Sequence, residues 1–233
     1  MIDISYTVVR KKGITSSISI SVSGDKGVVV RAPFWMTRGM INNFVQEKAS
    51  WIHKNTKRLH QNKTVKQYIN GEKHLYFGKE YPLEVIFNST NSRCKIEIID
   101  ERIRVELSEK VPSENISNKI KDALLYWYLE KGIEAITEKV NYFSNKMNVN
   151  YQRIDLKKVT TIWGSCSPSN KLSFNRKLVM APHEVVDYVV IHEVAHLVHR
   201  NHGQEFWKMV ESYDKEYKTH RKWLKVNHQL LSL

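Results

Sequence analysis

The chain has 233 residues, 41% of them hydrophobic, enough for one sizeable core or two smaller ones. Lys and Arg total 37 against 24 acidic residues, and the resulting formal net charge of +13 attracts polyanions whatever the fold, which keeps nucleic acid among the candidate partners. Two distant cysteines, Cys94 and Cys166, exclude a disulfide framework. The absence of a basic-then-apolar leader, and a most apolar region (185–198) broken by Asp187, His192, Glu193 and His196, point to a cytoplasmic chain with no membrane partner.

Between Ile4 and Arg31 apolar and polar residues alternate around a turn signal, Ser23-Gly24-Asp25-Lys26-Gly27, which predicts a small antiparallel sheet. Thr37 is placed to cap a helix carrying Ile41, Phe44, Val45, Trp51 and Ile52 and ending near Leu59. The densest basic stretch, Lys48 to Lys66 with Lys54, Lys57, Arg58 and Lys63, reads as a solvated helix face and basic loop or as a nucleic-acid patch. Residues 71–81 read as a hairpin, and Leu83–Phe87, Lys95–Ile99 and Ile103–Leu107 as strands. Past Pro112 a long helix begins, its stripe running from Ile116 to Phe143, with Gly132 as a candidate bend. The change from strands to helix near residue 110 divides the chain into a β-rich part, 1–110, packed on a second part, 111–233. A strand over Ile154–Trp163, a loop over Gly164–Asn170, a strand over Lys171–Leu178 and a helix from Pro182 to about Arg200 complete an α+β chain.

The last helix carries the chemistry. His192 and His196, four residues apart, project from one helix face and can grip one cation, and Glu193 stands beside the first of them. Tetrahedral zinc accepts imidazole nitrogen, and a catalytic site keeps three protein ligands and one water. The ion lowers the pKa of its water toward about 7, and Glu193 is the general base that takes the proton and delivers it to the leaving amine. For the third ligand, His202 on an unbroken helix would be rotated roughly 240° from His196. Asn201 and Gly203 tolerate the left-handed conformation that stops a helix, so the chain can turn His202 back. His199, on the same side as His196, is the competitor, disfavoured because a tetrahedron needs a donor from another direction.

Around this core, one edge of the Lys171–Leu178 strand is a place for an extended peptide, with Trp163 and Asn175 lining the cleft. Asp187, Glu205 and Glu211 are candidate acceptors for the far nitrogens of the ligating rings, and Tyr213, Tyr217 and Arg221 candidate donors to an oxyanion. Cys166 lacks an activating base and reads as a packing residue.

Three blocks, Trp163-Gly164-Ser165-Cys166-Ser167, 172–182 and Asp187 to Leu197, followed by His202-Gly203-Gln204-Glu205-Phe206-Trp207, together resemble the YgjP-like metal-dependent hydrolases, relatives of the SprT and WLM zinc peptidases. Arg31-Ala32-Pro33, Trp51-Ile52 and Tyr76-Phe77-Gly78-Lys79 extend the resemblance toward the N-terminus. It implies a small-zincin core, one Zn2+ held by His192, His196 and His202, Glu193 as the catalytic acid and base, and a protein or peptide substrate. The SprT relationship adds, by analogy, proteolysis at DNA. One position departs: the basic residue usual before the Trp-Gly-Ser-Cys-Ser block is Ile162 here. Two rivals remain, a basic nucleic-acid module with a structural zinc and a zinc hydrolase of a non-peptide bond.

Overall fold

A computed structural model describes residues 4–10, 17–23, 27–62, 66–89, 94–159 and 162–231. It divides into two compact units, Met1–Val65 and Lys66–Leu233. The change from strands to helix near residue 110 falls within the second unit. Among the described residues no helix is long and apolar enough to cross a membrane.

In the first unit, β1 (Thr7–Arg10), β2 (Ser19–Ser23) and β3 (Gly27–Ala32) form a sheet ordered β1-β3-β2. The sheet is mixed, a correction to the antiparallel expectation: β2 pairs antiparallel with β3, but β1 lies parallel to it, Thr7 opposite Val29. Residues 24–26 of the expected turn and Lys63 of the basic stretch lie outside the described residues. Thr37 caps α1 (Arg38–Glu47) as expected, its side chain accepting from the Met40 amide at 3.2 Å. The helical stretch then breaks at Lys48 and resumes as α2 (Ala49–Asn62). Val30, Ala32, Ile41, Val45 and Ile52 make this unit's core. Arg10 fixes the β3–α1 connection by donating to the carbonyls of Pro33, Phe34 and Met36.

The second unit opens with β4 (Lys73–Tyr76), β5 (Lys79–Asn88), β6 (Lys95–Ile99) and β7 (Arg102–Ser108), ordered β4-β5-β7-β6 with β5 parallel to β7. β4 and β5 are joined by Phe77 (φ 44°) and Gly78 (φ 78°), a two-residue turn with both residues left-handed. That tip docks on a 3-10 turn, Arg176–Met180: the Phe77 amide donates to Val179 O at 2.7 Å and the Gly78 amide to Met180 O at 3.1 Å. A methyl group on Gly78 would meet Pro182 at 2.9 Å, so the hairpin reaches the start of the next helix only through glycine.

The long helix α3 (Ile116–Met147) is unbroken, ended by Asn148 in the left-handed conformation. Gly132 does not interrupt it. It lies where a methyl group would meet Leu156 at 2.9 Å and Val179 at 3.3 Å, and so lets α3 approach the layer beneath. A second sheet, ordered β8-β10-β9, contains β8 (Arg153–Lys157), β9 (Gly164–Cys166) and β10 (Lys171–Asn175). It is followed by α4 (His183–Ala195), α5 (Gln204–Tyr213) and α6 (Tyr217–Asn227). α4 is buried on most of its circumference, as a helix apolar nearly all round must be.

Candidate metal centre

α4 stops earlier than its sequence pattern predicts. Regular helix ends at Ala195, and the amides of Leu197 and Val198 turn to three-residue bonds with Val194 O and Ala195 O. Neither Asn201 nor Gly203 is left-handed, contrary to the mechanism expected for the reversal; Gly203 has φ −75° and is the N-cap of α5. The reversal is instead a tight turn centred on His202, in which the Gly203 amide donates to Asn201 O at 2.8 Å. It delivers His202 to the other two histidines. His202 Nε2 lies 3.0 Å from His192 Nε2 and 3.1 Å from His196 Nε2. Among the described residues these three are the His, Cys, Asp and Glu side chains close enough together to share a metal ion.

The donor set fits a borderline cation. Tetrahedral coordination at about 2.0–2.1 Å places nitrogen donors about 3.3 Å apart, close to the observed separations. Burial, then His196 and His202, pull the His192 pKa down to about 3, and burial also lowers that of His196, so both rings stay neutral with lone pairs to give. The Nδ1 of His196 faces His199 O at 3.0 Å, which assigns the proton to Nδ1 and leaves Nε2 for the cluster. His199 thus acts through its carbonyl. Two of the three carboxylates expected in that supporting role are engaged elsewhere, Asp187 with Lys139 at 2.5 Å and Glu205 with Lys208 at 2.9 Å. The buried Nδ1 of His192 finds no partner among the described residues.

Aromatic rings hold the histidines. Phe206, fully buried on α5, touches all three, with centroids 4.9, 4.5 and 4.8 Å from His192, His196 and His202. Trp207 stacks on His202 at 5.7 Å and on Tyr217 at 5.3 Å. The Gln204–Trp207 turn is therefore the wall against which the cluster is set.

Glu193 is 5% exposed, and burial pushes its carboxyl up to about 8. The Trp-Gly-Ser block explains its confinement: a methyl group on Gly164 would sit 2.5 Å from Glu193 Oε1 and 2.6 Å from its Cγ. Glu193 and His192 border a cavity of about 320 Å³, with Trp163, Gly164, Tyr188 and Arg221 among its other walls. Tyr188 was absent from the sequence-derived site, although its place four residues before His192 puts it on the same helix face. Burial drives its hydroxyl pKa to about 12.

Trp163 lines this cavity and, with Asn175, an adjoining one; Asn175 also donates to Val159 O at 2.9 Å and Ile162 O at 3.1 Å. Of the three oxyanion candidates, Tyr213 is bonded to Lys146 O and Tyr217 is buried under Trp207, leaving Arg221 at the cavity. Cys166 is half-buried beside Arg200, and burial raises its thiol pKa, as befits a packing residue. The Lys171–Leu178 strand offers no edge: β10 is flanked by β8 and β9 on its two sides, and the chain leaves the strand at Asn175. The sheet's edge strands are β8 and β9, and β9 is the one whose Gly164 packs on Glu193. Bonds from Asn175 N to Trp163 O and from Ser167 N to Lys171 O set the register, and alternation then turns the amides and carbonyls of Gly164 and Cys166 outward.

The model of the YgjP-like metallopeptidase domain matches residues 16–227. No curated protein matches the chain. The crystal structure of the metallopeptidase zymogen abylysin from Pyrococcus abyssi is 18% identical, with 39% of this chain and 94% of that one covered at a TM-score of 0.34. For the metallopeptidase zymogen jannalysin from Methanocaldococcus jannaschii the identity is 25%, with coverage of 41% and 96% and a TM-score of 0.36.

Proposed function

The chain belongs to the YgjP-like metallopeptidase family, and on that premise we propose that it hydrolyses peptide bonds using one zinc ion held by His192, His196 and His202, with Glu193 as general base and then general acid. The observation that carries this reading is the convergence of three imidazole nitrogens within 3.1 Å steps, one of the three rings, His192, bordering the same cavity as Glu193. Zinc held there supplies Lewis acidity, which acidifies water and polarises the carbonyl under attack.

The remaining steps belong to the chain's own groups. An extended substrate pairs with the outward amides and carbonyls of Gly164 and Cys166, an edge-strand mode that holds the backbone while side chains alternate into pockets. Glu193 takes the proton of the attacking water at a carboxylate oxygen and passes it to the leaving nitrogen. Its raised pKa, about 8, suits a group that must both accept and return a proton near neutrality. Arg221 and Tyr188, at the same cavity, are the donors available to an oxyanion. The rival with a structural zinc is less well supported, because such a site closes with four protein ligands and this cluster has three among the described residues.

Metal content and peptide hydrolysis, measured side by side, test the assignment. His202→Ala loses zinc, His199→Ala retains it, and Glu193→Gln retains zinc while hydrolysis falls by about 10²–10⁴-fold. Full hydrolytic rate in zinc-loaded Glu193→Gln would sink the proposal.

A further inference from the structure

The cavity beside Glu193 does not end there. A second cavity, of about 450 Å³, shares Ile162, Trp163, Leu224 and Lys225 with it and extends to Lys177 and His228. Arg221 and Lys225 stand at i and i+4 of α6, with His228 at its C-cap; Arg221 and Lys225 line the first cavity and Lys225 and His228 the second. Glu193 is the single carboxylate on the first lining, and the second has none.

Lys177 and Lys225 both line this second cavity, Lys177 half-buried and Lys225 exposed. Among the described residues none of Lys177, Arg221 and Lys225 has a carboxylate at ion-pair distance, although the same unit pairs Lys139, half-buried like Lys177, with Asp187; Arg221 lies over the Trp207 ring at 5.2 Å. The charges nearest Lys177 are of its own sign: burial, Arg176 and Lys158 together pull its pKa down. The Nε of Arg176 is itself buried and finds no partner among the described residues. A half-buried Lys177 among like charges, on a carboxylate-free lining whose exposed Lys225 adds a further positive charge, raises the energy of the empty site, and an incoming anion relieves it. Ile162, Trp163 and Leu224 make the walls apolar, which strengthens such a pairing.

We propose that the two cavities form one carboxylate-selective channel, in which Lys177 and the Arg221–Lys225 face of α6 hold an acidic group of the peptide substrate. The carboxylate is either an Asp or Glu side chain close to the scissile bond or the substrate's own C-terminus. The inference rests on the peptidase reading and adds the substrate class to it. A cationic or neutral side chain in the same place leaves the lysines unpaired or opposed.

The test uses the zinc-loaded full chain and quenched peptides identical except for Glu, Gln or Lys at each position flanking the scissile bond, each made as C-terminal acid and amide. Glu over Gln by about tenfold in kcat/KM at one position, or acid over amide by a similar factor, supports the channel and names the source of the carboxylate. The variants K177E and K225E then invert the order in favour of the Lys peptide, a gain that misfolding does not produce. Equal cleavage of all peptides, or a Glu preference that survives both charge reversals, overturns the channel and leaves the peptidase standing. The same peptides, dye-labelled, are titrated into zinc-loaded Glu193→Gln. Preferential binding of the carboxylate peptides with no cleavage by the unaltered enzyme retains the channel and removes the peptidase reading. A single-stranded oligonucleotide whose binding depends on Lys177 and Lys225, where peptide charge has no effect, overturns the proposal by making the channel a phosphate site.

Discussion

Glu193 and Gly164 show at the level of single residues how a motif turns into geometry. Glu193 was legible from its place after His192, and His202 from its distance along the chain. Gly164 was visible only as part of a recognisable block, because its role is to be absent where Glu193 stands, 2.5 Å from any methyl group placed there. Gly164→Ala is therefore expected to destabilise by about 1–3 kcal/mol through overpacking. In a Glu193→Ala background, where the colliding carboxylate is gone, the same change costs less than half as much. Denaturant midpoints of the four proteins check this; additive costs would mean that the two residues do not meet. Tyr188 escaped the sequence reading for a different reason, since a tyrosine on an apolar helix face reads as core and is core, with one side exposed to the cavity.

Elements were predicted well in kind and less well in their ends. The hairpin, the strands of the first sheet of the second unit, the long helix and the metal helix all stand where periodicity put them. What failed were interruptions that local pattern does not encode. The metal helix stops at Ala195, because continuing to Arg200 would carry His202 away from His192 and His196, and a turn on His202 replaces the left-handed stop. Gly132 reads as a bend and proves to be a point of close approach within α3. Gly132→Ala sets two effects against each other: helix propensity gains about 0.5–1 kcal/mol, and overpacking against Leu156 and fully buried Val179 costs about 1–3 kcal/mol. Packing wins, so the variant is expected to unfold at lower denaturant, and Leu156→Ala in the same chain recovers part of the loss. A variant at least as stable as the parent would return Gly132 to a purely local role.

For the molecule as a whole, the buried site couples stability to pH. Glu193 titrates near 8 in the folded chain against about 4.5 unfolded, so between those values the native state keeps a proton that the unfolded chain has released. Metal-free protein is thus expected to lose stability as pH rises from 4.5 to 8, by at most about 1.4 kcal/mol per unit. His192 acts oppositely: its folded pKa of about 3 lies below the ordinary 6.5, so its contribution is lost as pH falls through that window. Because His192 is common to both proteins, the stability difference between Glu193→Gln and the parent isolates the carboxyl. That difference grows from pH 4.5 to 8 and levels off outside; urea titrations of chelator-treated protein follow it, and a difference independent of pH would show that Glu193 is not buried as described.

By itself the sequence determined the α+β character, the long helix, the pair His192 and His196 with Glu193 between them, and the family, because each is written in spacing along the chain. Tertiary structure alone decided that β10 is a central strand and β9 an edge strand, that Phe206 backs all three imidazoles, that the His199 carbonyl faces the His196 ring, and that Lys177 and Lys225 line one cavity. Those contacts join residues distant in sequence, and the burial that perturbs Glu193 and His192 exists only once the chain has closed around them.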